Sequence, residues 1–319
     1  MKKSRIVRIV LCIVIGVLLT RAAMMFCSVG LFFQFFYTRY DTLCPTDLTA
    51  EDLTQPAVPV TFDSNGNALS GYLIGDGEKG VIVIVHGLRS GMDAHYAEAD
   101  YFAAHGYTVF VYDGTGTRTS KGSSRESVSY ARDDLIAALD WLEAGEYGDL
   151  PVFLYGHSSG GYAAAAALER ADAVAALCAF DDPIDTMCDT VAPYAGFLVQ
   201  LQRPFLSLWN RIEAGPDANE SASACINASD TPILIVDASE DAVIPPKDSL
   251  YMHADSITDP NAAYLMRSGG QSEVWLSEDA LAYRLASENA APDTLDRLLY
   301  NAVDTAFLDE ILAFFDSAA

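Results

Sequence analysis

The pentapeptide Gly-His-Ser-Ser-Gly occupies residues 156–160, so a serine stands between two glycines with one residue on either side. A serine hydroxyl can attack a carbonyl carbon when a neighbouring base removes its proton. The apolar run 152–155 is typical of a strand buried on both faces, and the alanine-rich run 162–168 favours a helix. The spacing therefore predicts a sharp strand-to-helix turn that presents Ser158 as a nucleophile.

The same turn predicts an anion-binding site and explains why glycines flank the serine. The first free N–H groups of a helix point beyond its end, so the N–H of Ser159 is placed to meet a carbonyl oxygen that gains negative charge. A strained central residue leaves little room beside it, so Gly156 and Gly160 are expected to be steric requirements. The competing interpretation is a glycine-rich turn with no chemical role.

With a strand before it and a helix after it, the Gly-x-Ser-x-Gly motif resembles the nucleophile turn of the α/β-hydrolase superfamily. Over roughly residues 58–315 the chain looks most similar to membrane-anchored bacterial hydrolases of the serine aminopeptidase-like and lysophospholipase-like groups. The resemblance implies an α/β fold with a mostly parallel central sheet of about eight strands flanked by helices. It also implies acyl transfer to water from an ester, thioester or amide.

The resemblance assigns roles to two further loops. In the family, the loop after the third strand supplies the second oxyanion donor, which here implies the N–H of Leu88. The triad acid lies in a loop before a short apolar-proline turn, and Asp241 matches that position. Rival carboxylates stand in the same loop and after the preceding strand: Asp237, Glu240, Asp181 and Asp182.

The base is where the sequence departs from the family pattern. A triad histidine is expected in the loop after the last strand, but residues 267–276 contain none, and Gln271 stands at the matching place. A glutamine amide cannot accept a proton near neutral pH. His253 is the only histidine after Asp241, and the sequence predicts a helix from Pro246 that turns it away from the catalytic edge.

Three hypotheses therefore stay open for the chemistry. His253 is the base if the segment before it is not helical. Alternatively, another base such as His95 or a carboxylate serves, or catalysis is weak. In the third hypothesis the domain binds an apolar ligand or partner without turnover, because a fold does not fix a function. The remaining histidines are interpreted as structural or as surface positions of a helix: His86 and His157 in the first group, His95 and His105 in the second.

Eight apolar runs predict the strands of the sheet, and the first two flank an Asn-Gly hairpin signal at 65–66. These runs are 58–62, 68–74, 81–85, 107–112, 152–155, 173–180, 232–236 and 262–266. Helical patterns occupy other intervals: 92–105, 130–145, 162–168 and 246–253. Ser277 is expected to cap a further helix, and residues 295–315 close the domain.

The alternation of strands and helices lapses over 183–230, and a connection of this length is typical of a functional element. In the hydrolase fold lids occupy this position, so the resemblance implies a lid insertion after the sixth strand. Its side chains are largely apolar or aromatic, as at Phe205 and Trp209. The predicted substrate is therefore a small molecule or peptide with an apolar group.

The charge is strongly acidic and unevenly placed. The 319 residues include 19 basic and 44 acidic side chains, and six of the basic ones but no acid fall within residues 1–40. An acidic domain repels nucleic acid, so no nucleic-acid partner is expected. The six cysteines show no metal-ligand spacing, and neither a metal nor an organic cofactor is implied. Cys188 and Cys225 could pair in an oxidising compartment.

The N-terminus predicts a membrane helix. Residues 9–20 are apolar but too short to cross a hydrocarbon core of about 30 Å, and apolar sequence resumes after Arg21. We therefore expect a span from about Val7 to Phe26, with Arg21 reaching the outer interface. The basic residues before the span predict a cytoplasmic N-terminus and an extracellular domain.

These patterns divide the chain into three parts. Residues 1–40 form a membrane anchor and juxtamembrane helix, residues 41–56 a connector, and residues 57–319 the hydrolase domain with its lid at 183–230. The alternative is a cleaved signal peptide, with Thr20 and Ala22 at the small-residue positions of the cleavage site, which would leave a secreted protein.

Overall fold

The computed structural model describes residues 2–36, 38–122, 127 and 129–318. Eight strands form one sheet: β1 (Ala57–Ser64), β2 (Asn67–Ile74), β3 (Val81–Val85), β4 (Thr108–Tyr112), β5 (Val152–His157), β6 (Ala173–Leu177), β7 (Ile233–Ala238) and β8 (Ala262–Arg267). Their order is β1-β2-β4-β3-β5-β6-β7-β8. The pairs β1–β2 and β2–β4 are antiparallel and the other five pairs are parallel. The predicted α/β-hydrolase sheet is therefore confirmed.

Helices flank the sheet and extend from it. They are α1 (Lys2–Phe36), α2 (Tyr96–Ala104), α3 (Tyr130–Glu143), α4 (Ser159–Ala166), α5 (Pro183–Ala195), α6 (Leu198–Ala214), α7 (Ala222–Asn227), α8 (Glu278–Ala286), α9 (Arg297–Tyr300) and α10 (Thr305–Asp316). We call α5, α6 and α7 the insertion helices, because they lie between β6 and β7 where the sequence predicts a lid. Within them Cys188 and Cys225 are free thiols, so the disulfide that the sequence leaves open is not formed.

Two elements of the structure differ from the prediction. The strand predicted at 173–180 stops at Leu177, because Cys178 has a φ of 47° and leaves the extended conformation. The helix predicted at 246–253 is two short 3₁₀ helices, Pro246–Asp248 and Leu250–Ser256, separated by Ser249 in an extended conformation. The Ser249 hydroxyl oxygen accepts a hydrogen bond from the N–H of Tyr251 and so caps the N-terminus of the second helix.

The core lies on both faces of the sheet, as continuous apolar strands require. All five residues of β3 are buried. Val81, Val83 and Val85 pack with α3 and α4 on one face, and Ile82 and Ile84 pack with α2 and α10 on the other. The carboxyl ends of β3, β5, β6 and β7 therefore meet at one edge, where open α/β sheets bind ligands.

Two glycines allow α4 to lie directly against the sheet. A Cβ added at Gly160 would stand 2.0 Å from the carbonyl oxygen of Val85, and one added at Gly156 would stand 2.3 Å from the carbonyl oxygen of Gly160. Both distances are much shorter than a van der Waals contact, and both neighbouring atoms belong to the backbone. The steric requirement predicted for these glycines thus has a direct structural cause.

Helix α1 contains the apolar segment Arg5–Gly30, which is long and apolar enough to cross a membrane by length and composition. The rings of Phe26 and Trp209 lie 5.4 Å apart between their centroids. Val29 packs in a buried cluster with Ile184 and Leu206 of the insertion helices. The end of α1 is therefore docked on the domain, while its residence in a membrane stays a prediction.

The residues after α1 are fastened to the loop that follows β4. Arg39 Nη1 donates hydrogen bonds to the carbonyl oxygens of Ser120 (2.7 Å) and Gly122 (3.1 Å). Tyr40 forms a parallel backbone bridge with Thr117. The chain that leaves α1 is thus held to the domain at a second place.

The close approach at Gly160 predicts the effect of a single methyl group. We expect Gly160→Ala to lower the free energy of unfolding of the full chain in detergent by about 3 kcal/mol, because neither backbone can yield without strain. Gly145→Ala is the matched control: its added Cβ would meet only atoms at 3.4 Å or more. Chemical denaturation measures both variants. Equal stability of Gly160→Ala and wild type would contradict the steric explanation.

Candidate active site

Ser158 has the backbone geometry of a strained turn residue. It precedes α4 with φ 55° and ψ −117°, a conformation that costs a non-glycine residue about 1–3 kcal/mol. Its N–H donates to the carbonyl oxygen of Leu177 (2.8 Å), and its carbonyl oxygen accepts from the N–H of Tyr162 (3.0 Å). These bonds hold the strained backbone in place, and the half-buried side chain projects into a cavity of about 900 Å³.

The loop after β3 lies against Ser158. A Cβ added at Gly87 would stand 3.2 Å from Ser158 Cβ, so the two backbones lie side by side. Leu88 and Ser159 both line the cavity. Within the part of the chain that the structure describes, neither N–H group is hydrogen-bonded to the protein. Both predicted oxyanion donors are thus beside Ser158, and their catalytic role stays a prediction.

Asp241 lies in the turn after β7, and its carboxylate is hydrogen-bonded to the backbone of that turn. Its Oδ1 accepts hydrogen bonds from the N–H groups of Val243 (2.7 Å) and Ile244 (3.0 Å). Val243 and Ile244 line the cavity, whereas Asp241 is absent from its described lining. The structure therefore places the predicted acid beside the site, where it closes the turn that carries two cavity residues.

Asp241 also belongs to a group that could hold a cation. Ligand atoms of Cys178, Asp237 and Asp241 lie within 4.8 Å of one another. Burial and the charges of Asp237 and Asp241 raise the pKa of the Cys178 thiol, which keeps it protonated. Asp237 is already an acceptor for Ser249 Oγ (2.5 Å) and for the N–H of Ala238 (2.9 Å). Ordinary hydrogen bonds therefore account for these carboxylates.

The described contacts of His253 are with residues other than Ser158. Its Nε2 lies 2.9 Å from the carbonyl oxygen of Lys247, and its Nδ1 lies 3.4 Å from Asp181 Oδ2. It is absent from the described lining of the Ser158 cavity. The segment before it is not the predicted α-helix, and even so the 3₁₀ turns direct the imidazole towards Asp181, in the loop between β6 and α5.

Gln271 does occupy the site. It lines the cavity and is 9 % exposed. Its Oε1 has no hydrogen-bond partner among the residues that the structure describes. The loop after β8 thus approaches Ser158 as the family pattern requires, but with a carboxamide in place of an imidazole.

His95 is the residue that sequence reasoning misplaced. The sequence predicts a surface position on a helix for His95. In the structure, its side chain is fully buried and lines the cavity. Its Nδ1 lies 2.8 Å from Oε1 of Glu98, which is also fully buried. His95 Nε2 has no partner among the described residues. A 3₁₀ turn, Met92–His95, precedes α2 and turns the imidazole inwards.

The spacing of His95 and Glu98 was the available sequence signal. Residues three apart on a helical segment are neighbours, so a carboxylate could be expected beside the imidazole. Their burial could not be read from the sequence, because it depends on Trp275, whose ring centroid lies 5.1 Å from that of His95.

His157 lies beneath the turn, as predicted for a structural residue. Its ring centroid lies 4.9 Å from Trp275 and 5.7 Å from His95. Burial, with a smaller contribution from His95, lowers the pKa of His157 to about 3, although a hydrogen bond with the backbone of Gln271 opposes the shift. His157 is therefore neutral across the physiological range.

The comparisons with known proteins agree with this geometry. Residues 76–180 match the family described as serine aminopeptidase, S33, which covers about a third of the chain and includes β3, β5 and Ser158. No curated protein matches the chain by sequence.

Solved structures share the fold. An esterase from Pyrococcus furiosus, Pf2001, superposes with a TM-score of 0.61 at 15% identity, covering 88% of this chain and 97% of the esterase. DcsB, solved with its substrate analogue, gives 0.55 at 13% identity over 83% and 100% of the two chains. The α/β hydrolase GrgF from Penicillium sp. sh18 gives 0.53 at 18% identity over 82% and 99%. These likenesses confirm the α/β-hydrolase fold.

The buried neutral His157 predicts a pH dependence of stability. An imidazole in the unfolded chain titrates near pH 6.5, and in the folded protein the pKa of His157 is about 3. Between these values the unfolded chain binds more protons, so this residue makes the free energy of unfolding fall as the pH falls. We expect His157→Gln to remove part of that loss between about pH 6.5 and 4 in denaturation series.

Comparing wild type with His157→Gln isolates the contribution of His157 to the pH dependence of stability. Carboxyl groups with raised pKa values, such as Asp93 and Asp248 at about 6, act in the opposite direction and are present in both proteins. His105→Gln is the control, because that side chain is exposed. An unchanged pH slope in His157→Gln would show that His157 takes up its proton without unfolding.

Proposed function

We propose that this chain is a membrane-anchored serine hydrolase that transfers an acyl group from an ester, thioester or amide to water. The observation that carries the proposal is Ser158 in its strained turn, with glycines closed against backbone on both sides and its side chain at a cavity. Structural packing alone gives no reason to hold a serine in this conformation, and strained residues cluster at functional sites.

The proposed reaction follows from the groups around Ser158. Its Oγ attacks the substrate carbonyl carbon while a base takes the hydroxyl proton. The N–H groups of Leu88 and Ser159 stabilise the oxyanion. Collapse of the tetrahedral intermediate breaks the bond to the leaving group, which receives the proton, and water then attacks the acyl-enzyme with help from the same base.

The base that fits best is His95, positioned by Glu98. A working imidazole needs one nitrogen held by an orienting group and the other free to accept a proton. His95 satisfies both conditions, since Nδ1 contacts Glu98 and Nε2 has no partner among the described residues. His253 has both ring nitrogens engaged, one with Asp181 and the other with the carbonyl oxygen of Lys247, and Gln271 has no imidazole.

A second function, ligand binding without turnover, is favoured by Gln271. An amide at the usual base position leaves a formed cavity that has lost the usual proton acceptor. The supporting result would be a rise in melting temperature with a fatty acyl compound and no covalent labelling of Ser158.

Covalent labelling distinguishes the two functions. We expect a fluorophosphonate probe to modify the wild-type chain at Ser158, since the turn exposes the hydroxyl to the cavity and the loop amides can hold the phosphonyl oxygen. Ser158→Ala should abolish labelling. Ser272→Ala, a serine that also lines the cavity, should label as wild type. Intact mass spectrometry measures all three, and an unlabelled wild-type chain would contradict the hydrolase.

The role of His95 has its own test. We expect His95→Ala to lower kcat/KM for a p-nitrophenyl ester by about 10²–10⁴-fold, the usual contribution of a general base. Glu98→Gln should lower kcat/KM less and move the acid limb of its pH profile to lower pH, because a neutral amide stabilises an imidazolium less than a carboxylate does.

His253→Ala is the matched control, because it removes an imidazole that lies outside the described lining of the cavity. Its kcat/KM should stay within about twofold of wild type, as expected for a residue that touches no reacting atom. Equal losses in the two histidine variants, or a pH profile of Glu98→Gln that does not move, would contradict the assignment of His95.

A further inference from the structure

Helix α6 carries large apolar side chains on a side that the domain does not cover. Leu201, Leu208 and Ile212 are 53%, 51% and 59% exposed, and Phe197, one turn before Leu201, is 76% exposed. Spacings of four and seven residues place these side chains along one line of a helix. We call these four residues the α6 stripe. Exposed apolar stripes of this size mark contacts with other proteins or with membranes.

The stripe is not the side by which α6 packs on the domain. Val199 and Leu206, on a different line of the helix, are 6% and 4% exposed and lie in the cluster shared with α5 and Val29. The helix is therefore apolar on two sides, and the core accounts for only one of them.

Helix α1 docks beside the α6 stripe, and its position indicates what covers the stripe. The end of α1 meets α6 through Phe26 and Trp209, and a Cβ added at Gly30 would stand 2.9 Å from the Trp209 ring. Gln202 Nε2 also donates to Ser28 Oγ at 3.1 Å. The segment long enough to span a membrane, Arg5–Gly30, thus ends at α6.

Lengths place α6 at the membrane surface. The 26-residue segment measures about 39 Å as a helix, and the hydrocarbon core is about 30 Å thick. If α1 crosses the bilayer, its last turns stand at the headgroup level, where tryptophan is enriched. Trp209 and the neighbouring α6 stripe then lie at the same level.

We propose that α6 lies in the lipid interface, with the α6 stripe inserted among the lipid chains as the membrane-facing side of an interfacial helix. The occupant of the stripe is the bilayer, because the membrane-crossing segment ends on the adjacent side of the same helix. The acidic domain disfavours anionic headgroups, so the surface is zwitterionic or neutral.

The cavity is close to this surface. Met187 lines the cavity and also packs in the cluster that contains Val29 of α1. The side chain of Met187 therefore belongs both to the lining of this cavity and to the cluster on which the end of α1 docks. Resting on the proposed function, the substrate class is an uncharged or zwitterionic acyl amphiphile that enters from the bilayer.

Photocrosslinking in phosphatidylcholine vesicles tests the position of α6 on the full chain. Benzoylphenylalanine at position 208 should crosslink labelled lipid about tenfold more than at position 200, because Leu208 is in the stripe and Gln200 is an exposed residue on another side of α6. Equal lipid crosslinking at the two positions would overturn the proposal. Crosslinking of position 208 to a second copy of the chain would overturn it too, in favour of a dimer.

Hydrolysis tests the substrate class separately. The triple variant Leu201→Ser, Leu208→Ser, Ile212→Ser should hydrolyse an acyl ester embedded in the vesicles about tenfold more slowly and leave hydrolysis of water-soluble p-nitrophenyl acetate unchanged. Equal loss on both substrates would overturn entry from the bilayer. If wild type hydrolyses neither ester, the proposed function fails together with its substrate class, whereas the crosslinking result still decides the position of α6.

Discussion

The contact between α4 and the end of β3 sets the geometry of the site. Gly160 lies so close to the carbonyl of Val85 that no other residue fits, and this approach holds the turn at Ser158 in its positive φ. Gly87 is brought against the Ser158 side chain by the same packing. The sheet, Ser158 and the candidate oxyanion amides therefore form one unit, in which displacing the helix would displace the site.

Around that unit the polar groups are arranged unusually. Asp241 accepts hydrogen bonds from its own turn, Gln271 lines the cavity, and His95, which also lines it, contacts the buried Glu98. Burying a histidine and a carboxylate is costly unless they are paired, and such pairs beside cavities are typical of functional sites. In the proposed reaction, a carboxylate–imidazole pair is therefore supplied by a different part of the chain.

The fold and the sharp turn at Ser158 could be predicted because their causes are local. A solid β-branched run such as Val81–Val85 is explained only by burial on both faces, and the glycines flanking Ser158 report a turn that excludes a Cβ. The inward direction of His95 could not be predicted, since it depends on Trp275, far away in sequence. Likewise, the break at Ser249 interrupts a pattern that is locally compatible with a helix.

The contacts that hold the chain after α1 to the domain affect how such a protein would encounter its substrate. Arg39 and Tyr40 bind the loop after β4, while Phe26 and Val29 bind the insertion helices, so the domain is attached on two sides of the end of one helix. A domain held this way cannot swing on a long tether through the surrounding solvent. For a chain anchored as proposed, encounter becomes a two-dimensional search, and turnover should follow the surface density of substrate instead of its bulk concentration.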